Sequence, residues 1–101
     1  MTVEQARKVL LAQEGAFEGE HHGHPDFRIK NKIFATLWPN EDRSVLRLPM
    51  EVAEKTAEEN DQRSKVVSRS GGAGWLSVDL KKWKVNEYKP LAELARSLHK
   101  R

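Results

Sequence analysis

Residues 24–49, HPDFRIKNKIFATLWPNEDRSVLRLP, constrain this chain more than any other stretch. They read as three short strands joined by tight turns, the middle of a small antiparallel sheet. Phe27 and Ile29 alternate with Arg28 and Lys30, the period of two that gives a strand one buried face. Asn31-Lys32 follows, and asparagine suits the positive φ of a hairpin turn. The run 33–38 is almost wholly apolar, as in a central strand covered on at least one face. Pro39-Asn40-Glu41-Asp42 forms a second turn cluster, and 45–48 is a third strand closed by Pro49. Whether Ile33 or Phe34 points inward stays open at this level, because a turn one residue longer at Asn31 flips every side chain beyond it.

Helices flank this meander. Thr2-Val3-Glu4-Gln5 is a capping box that starts a helix running to about Gln13, with Val3, Ala6 and Leu10 on one stripe and Gly15 as its stop. Residues 16–23 are glycine-broken, an extended lead-in with at most a weak strand. After Pro49, residues 50–61 read as a second helix whose apolar face, Val52, Ala53, Thr56 and Ala57, is thin enough to place it at the sheet's margin. Residues 63–70 are a fourth strand, 70–74 a flexible connection, and 75–80 a fifth strand with Leu76, Val78 and Leu80 on one face. A basic linker, 81–85, leads to a last helix capped by Asn86, with Pro90 in its first turn and Leu91, Leu94, Ala95 and Leu98 as its apolar stripe. The order α-β(3)-α-β(2)-α over residues 1–101 predicts a single domain of the α+β class. Its expected architecture is a two-layer sandwich: an antiparallel five-stranded sheet with helices on one face.

Composition narrows the chemistry. The absence of cysteine excludes disulfides, thiolate nucleophiles and cysteine-bearing zinc or iron–sulfur sites, and suits a cytoplasmic location. No apolar run is long enough to span a membrane, and the first fifteen residues look like a helix rather than a secretion signal. The net charge is only +3, from 18 basic and 15 acidic residues, so its distribution matters more than its size. Residues 50–61 hold five acids against Lys55 alone, and residues 63–84 hold six bases against Asp79 alone. Such a chain has a polarised surface if the fold keeps these segments apart.

Three motifs resemble those of the MmcQ/YjbR-like proteins. Gly23-His24-Pro25-Asp26-Phe27-Arg28-Ile29 is similar to that family's G-H-P-x-F-R-V lead into the sheet. Lys32-Ile33-Phe34-Ala35 is similar to its G-K-I-F-A continuation, and Trp75-Leu76-Ser77-Val78 to its G-W-V-S-V strand. The helices sit in the expected order, so the resemblance covers nearly the whole chain. Two departures are Asn31, where glycine is commoner, and residues 70–74, longer and richer in glycine than a compact turn. The resemblance implies a bacterial protein with a fold like that of the type III secretion chaperones, and DNA binding through two β-hairpin wings.

On that reading Arg28, Lys30, Lys32 and Arg43 line one wing, and Arg63, Lys65, Arg69, Lys81 and Lys82 the other. Flexible cations at hairpin tips suit phosphate, each neutralising one group and releasing its counterion. Four or five such contacts imply a log–log salt slope of about −4 and binding of double-stranded DNA without sequence preference. Replacing Lys81 and Lys82 by glutamate then removes the DNA signal. The bland use of the same cations is to keep edge strands from pairing with other chains. A different class of function is a protein-interaction module that holds a partner segment on the sheet face or an edge. His21, His22 and His24 lie close enough to suggest a metal, but ligands normally come from separated, rigid positions, and His24 before Pro25 suits a structural role; His99 is remote. No metal or other cofactor is expected. There is no nucleophile elbow and no P-loop, and a His24–Asp26 pair lacks an oxyanion donor, so the chain reads as a monomeric binding protein and not an enzyme. Phe27, Ile33, Phe34 and Trp75 are expected to be mostly buried, and Trp83, between lysines, exposed.

Overall fold

The computed structural model describes residues 1–98, apart from the side chain of His21; His99 lies outside the described residues. The elements run α1 (Val3–Leu11), β1 (Phe17–His21), β2 (His24–Ile29), β3 (Lys32–Trp38), β4 (Arg43–Pro49), α2 (Met50–Glu59), β5 (Ser64–Ser70), β6 (Ala73–Asp79) and α3 (Val85–Ser97). Short 3-10 turns occupy Pro39–Glu41 and Leu80–Lys82. All neighbouring strands are antiparallel, in the order β1-β2-β3-β4-β6-β5. The class is the expected α+β, but the sheet has six strands and not five.

The sixth strand is β1, which pairs with β2 from Phe17↔Arg28 to His21↔His24. Its sequence hid it for a physical reason. An edge strand with Glu18 and Glu20 toward the helix side buries neither face, so no apolar alternation marks it. Gly19 has a role of its own here. A Cβ there would sit 2.8 Å from Asp26 Oδ1, so the missing side chain is what lets the Asp26 carboxylate lie against β1.

All three helices cover one face. Ser44 receives α3 through Tyr88, Gly74 receives α2 at Ala53, and Glu18 receives α1 through Arg7. The strand register puts those three positions on the same side as Phe27, Ala35, Leu46 and Leu76, which are all fully buried. The Tyr88 hydroxyl lies 2.8 Å from Ser44 Oγ, which itself donates to Thr36 O at 3.1 Å, so Tyr88 supplies the proton of the first bond. Burial pushes the Tyr88 hydroxyl well above its ordinary range.

Several local expectations are corrected. A register shift opposite Phe27/Arg28 makes Phe34 an extra residue in β3, so Phe34 and Ala35 are both buried while Ile33 turns to the open face and is only half-buried. Trp75 is likewise half-buried. Trp83, expected outside, is 4% exposed. Its flanking lysines misled because side chains alternate in an extended segment: Lys82 and Lys84 point to water and Trp83 inward. The 70–74 stretch is no flexible connection. Ser70 already pairs with Ala73, leaving a two-residue turn, Gly71-Gly72, with φ of +57 and +78. The helix α1 stops at Leu11, short of Gln13, and α3 begins at Val85, before the expected Asn86 cap. Glu87 closes the start of α3 by accepting from the Lys84 backbone N–H at 3.0 Å. Pro90 therefore lies inside α3, and the buried stripe is Tyr88, Leu91, Ala92 and Ala95, with Leu94 exposed.

The hairpins share one geometry. Turns 22–23, 30–31 and 71–72 each have two residues, all with positive φ, the pattern of a type I′ turn. In the middle one, Lys30 at +53 and Asn31 at +66 hold this conformation without glycine. The pairing Pro49↔Ala73 brings turns 30–31 and 71–72 to one end of the sheet, hereafter the wing end. Turn 22–23, residues 39–42 and the start of β5 stand at the opposite end.

Candidate nucleic-acid interface

The nine cations read from the sequence do not converge. Lys30, Lys32 and Arg69 stand at the wing end, whereas Arg43, Arg63, Lys65, Lys81 and Lys82 stand at the other, separated by the length of a strand, about 20 Å. Five of the nine face carboxylates. Arg28 clasps Asp26 with Nε–Oδ1 at 2.9 Å and Nη2–Oδ2 at 3.0 Å. Asp26 is fully buried, and this two-pronged bond is what offsets the cost of burying its charge. Arg43 reaches Glu41 at 3.1 Å and lies over the Trp38 ring, which stacks on His24 at 3.8 Å. Lys81 meets Asp42 at 3.3 Å. Arg69 lies 3.7 Å from Glu54, a solvent-exposed pair too weak to hold the side chain down.

Arg63 is the clearest structural cation. Its guanidinium lies 3.9 Å above Trp83 and donates to both Glu87 oxygens, to Asn60 Oδ1 and to Lys82 O. With its donors committed, it has nothing to offer a phosphate. The Arg63 hydrogen bonds, first of all, hold the Glu87 carboxyl down to about 2.

Two clefts follow this division. The one at the far end, about 440 Å³, mixes Arg43, Arg63, Lys65 and Lys81 with Glu41, Asp61 and Asp79. Its charges cancel, which makes it a poor site for a polyanion. The cleft at the wing end, about 670 Å³, carries Lys30, Lys32 and Arg47 and no carboxylate, with Ile29, Ile33, Trp75 and Leu98 completing its walls. Among the described residues these three cations form no ion pair within 4.0 Å. Reasoning from sequence missed Arg47. The signal was present: Arg47 sits between Leu46 and Leu48, two buried residues, so it faces the open side of the sheet.

The comparisons can be set beside this geometry. The family model named YjbR matches residues 11–99. The chain belongs to the YjbR family. A solved structure with the same fold is that of Deinococcus radiodurans protein DR2400, described as a DUF419 domain, at a TM-score of 0.82 and 18% identity. The match covers 96% of this chain and 77% of that one. At such identity the likeness speaks to the fold alone. No curated protein matches the chain in sequence. Like other features of this YjbR-family chain, the helices bear on its surroundings only negatively: none among the described residues is long and apolar enough to cross a membrane.

Proposed function

We propose that this YjbR-family protein binds DNA weakly, through the phosphate backbone and without sequence preference, using the wing end of its sheet. The observation that carries the reading is the meeting of Lys30, Lys32 and Arg47 in a cleft free of carboxylates. Cations that are not neutralised by their own chain gain most from a polyanion, since each contact releases a counterion. The acids of α2, Glu51, Glu54, Glu58 and Glu59, sit on the helix side of the sheet and oppose binding there. No residue in this role needs a cofactor or catalytic chemistry, and the reading places the protein in the cytoplasm, as a monomer.

Fluorescence anisotropy with labelled duplex DNA over a salt series tests it. Three phosphate contacts give a log–log slope of about −3, where an interface of all nine cations would give about −8. Replacing Lys30, Lys32 and Arg47 together by alanine flattens the slope. Replacing Lys81 and Lys82 by glutamate leaves it nearly unchanged, the reverse of the expectation from sequence, because Lys81 is engaged with Asp42 at the far end. Absence of binding at about 50 mM salt rules the proposal out.

A second reading is a protein-interaction module, favoured by Phe17 and Val67. These are large apolar residues, 44% and 46% exposed, on the two edge strands β1 and β5. An extended partner segment added to either edge would cover them. Failure of DNA binding, together with titration of a defined partner peptide that protects the β5 amides from exchange, supports this reading instead.

A further inference from the structure

We infer that the wing-end cleft takes a nucleotide of single-stranded DNA, its base stacked on Trp75 and its phosphates on Lys30, Lys32 and Arg47. This rests on the DNA-binding reading above and goes further by naming which form of DNA the site recognises.

The cleft is not a plain cationic surface. Trp75 pairs with Arg47 across β6 and β4, and Ile33 pairs with Arg28 across β3 and β2, so an aromatic and an aliphatic side chain face the same side as the guanidinium groups. Trp75 remains half-exposed, while the other two indoles are occupied: Trp38 lies between His24 and Arg43, and Trp83 is buried beneath Arg63. A duplex presents phosphates and sugars outward and keeps its base faces stacked inside, so it could reach the cations but would leave the apolar wall empty. An unpaired base offers a flat face, and aromatic stacking accepts any base, consistent with binding that ignores sequence. A volume of about 670 Å³ lies within the usual range for small-molecule sites and has room for a base with its sugar. The same chemistry, a base with a phosphate, also describes a free nucleotide. The polymer is favoured because Lys30 and Lys32 sit on the hairpin, Arg47 on β4 and Arg69 further along the same end, a spread that follows a chain of phosphates better than a single one.

The test uses the full chain with a labelled oligothymidine of about 12 nucleotides, the same strand annealed to its complement, and thymidine monophosphate as competitor, at about 50 mM salt. The single strand should bind about tenfold more tightly than the duplex. Trp75→Leu should remove most of that advantage and leave duplex binding unchanged, while Trp75→Phe, which keeps a ring, retains most of it. Binding of the single strand should quench indole fluorescence in the native protein and not in Trp75→Phe, a readout that a merely destabilised fold would not give. Circular dichroism of both variants checks that the sheet is intact, and the ring-retaining variant carries the test if Trp75→Leu fails to fold. Equal affinity for the two forms, insensitive to Trp75, overturns this inference and spares the DNA-binding proposal. Absence of binding to either form ends both. Displacement of the oligonucleotide by thymidine monophosphate at comparable concentration reassigns the cleft to free nucleotides and overturns the inference.

Discussion

Arg63 and Arg47 are chemically identical and structurally opposite. Arg63 is held by Asn60, Glu87, Lys82 O and the face of Trp83, so its charge belongs to the fold. Arg47 stands among apolar walls with its charge uncommitted. Nothing in the one-dimensional pattern separated them, because the partners of Arg63 lie up to 24 positions away, at Glu87. The pH dependence of stability should report this pairing. The carboxyl of Glu87 has its folded pKa lowered from an ordinary 4.5 to about 2, so its contribution is complete above about 4.5 and fades as pH falls toward 2. Denaturant titrations of the native protein and of Glu87→Gln should therefore differ at neutral pH and converge near pH 2. A constant difference across that window would deny the ion pair a role. A second residue-scale outcome concerns Gly74, where a Cβ would fall 2.7 Å from that of Ala53. Gly74→Ala should destabilise by about 1–3 kcal/mol through separation of α2 from β6, seen as a lower denaturation midpoint at unchanged slope.

At the scale of elements, the parts legible in sequence were those with one buried face. The strands β3 and β6 announced themselves through Phe34, Leu37, Leu76 and Val78, and the acidic helix α2 through its thin stripe, of which only Ala53 is buried. The missed strand β1 has water along its outer edge, and pairing with β2 defines it rather than burial. The error at the start of α3 has the same origin in reverse. Lys84 makes an unremarkable residue before a helix, and the turn is closed by Glu87 reaching back, so Asn86 looked the better cap. The β5–β6 hairpin shows how composition can mislead about stiffness. Three glycines in five residues suggested slack, yet the ladder runs through Ala73 and Gly74 to a two-residue turn. Amide hydrogen exchange should accordingly show Gly74 protected as part of β6, with fast exchange confined to residues 71 and 72.

Over the whole molecule, the sheet has two charge characters at its two ends, a mixed one at residues 39–42 and 61–65 and a purely cationic one at the hairpin tips. Sequence gave the segments their charges correctly, but which end each cation occupies depends on strand direction and register, and no local pattern encodes these. The edges also shape behaviour in solution. A bulge between Val66 and Ser68 twists β5 away from flat pairing, and Glu18 and Glu20 place negative charge along β1. Sedimentation should show a monomer at micromolar concentration, and a concentration-dependent dimer would mean that one edge is a contact between copies. The tip of the middle hairpin has a further consequence. Lys30 occupies a left-handed conformation that a residue with a Cβ adopts reluctantly, at the very point where its ammonium is of use. Lys30→Gly should raise thermal stability, by about 1 kcal/mol, and at the same time weaken DNA affinity. Selection for robustness alone would discard this lysine, so one substitution that moves the two properties in opposite directions would reveal a compromise between endurance and usefulness at a single position.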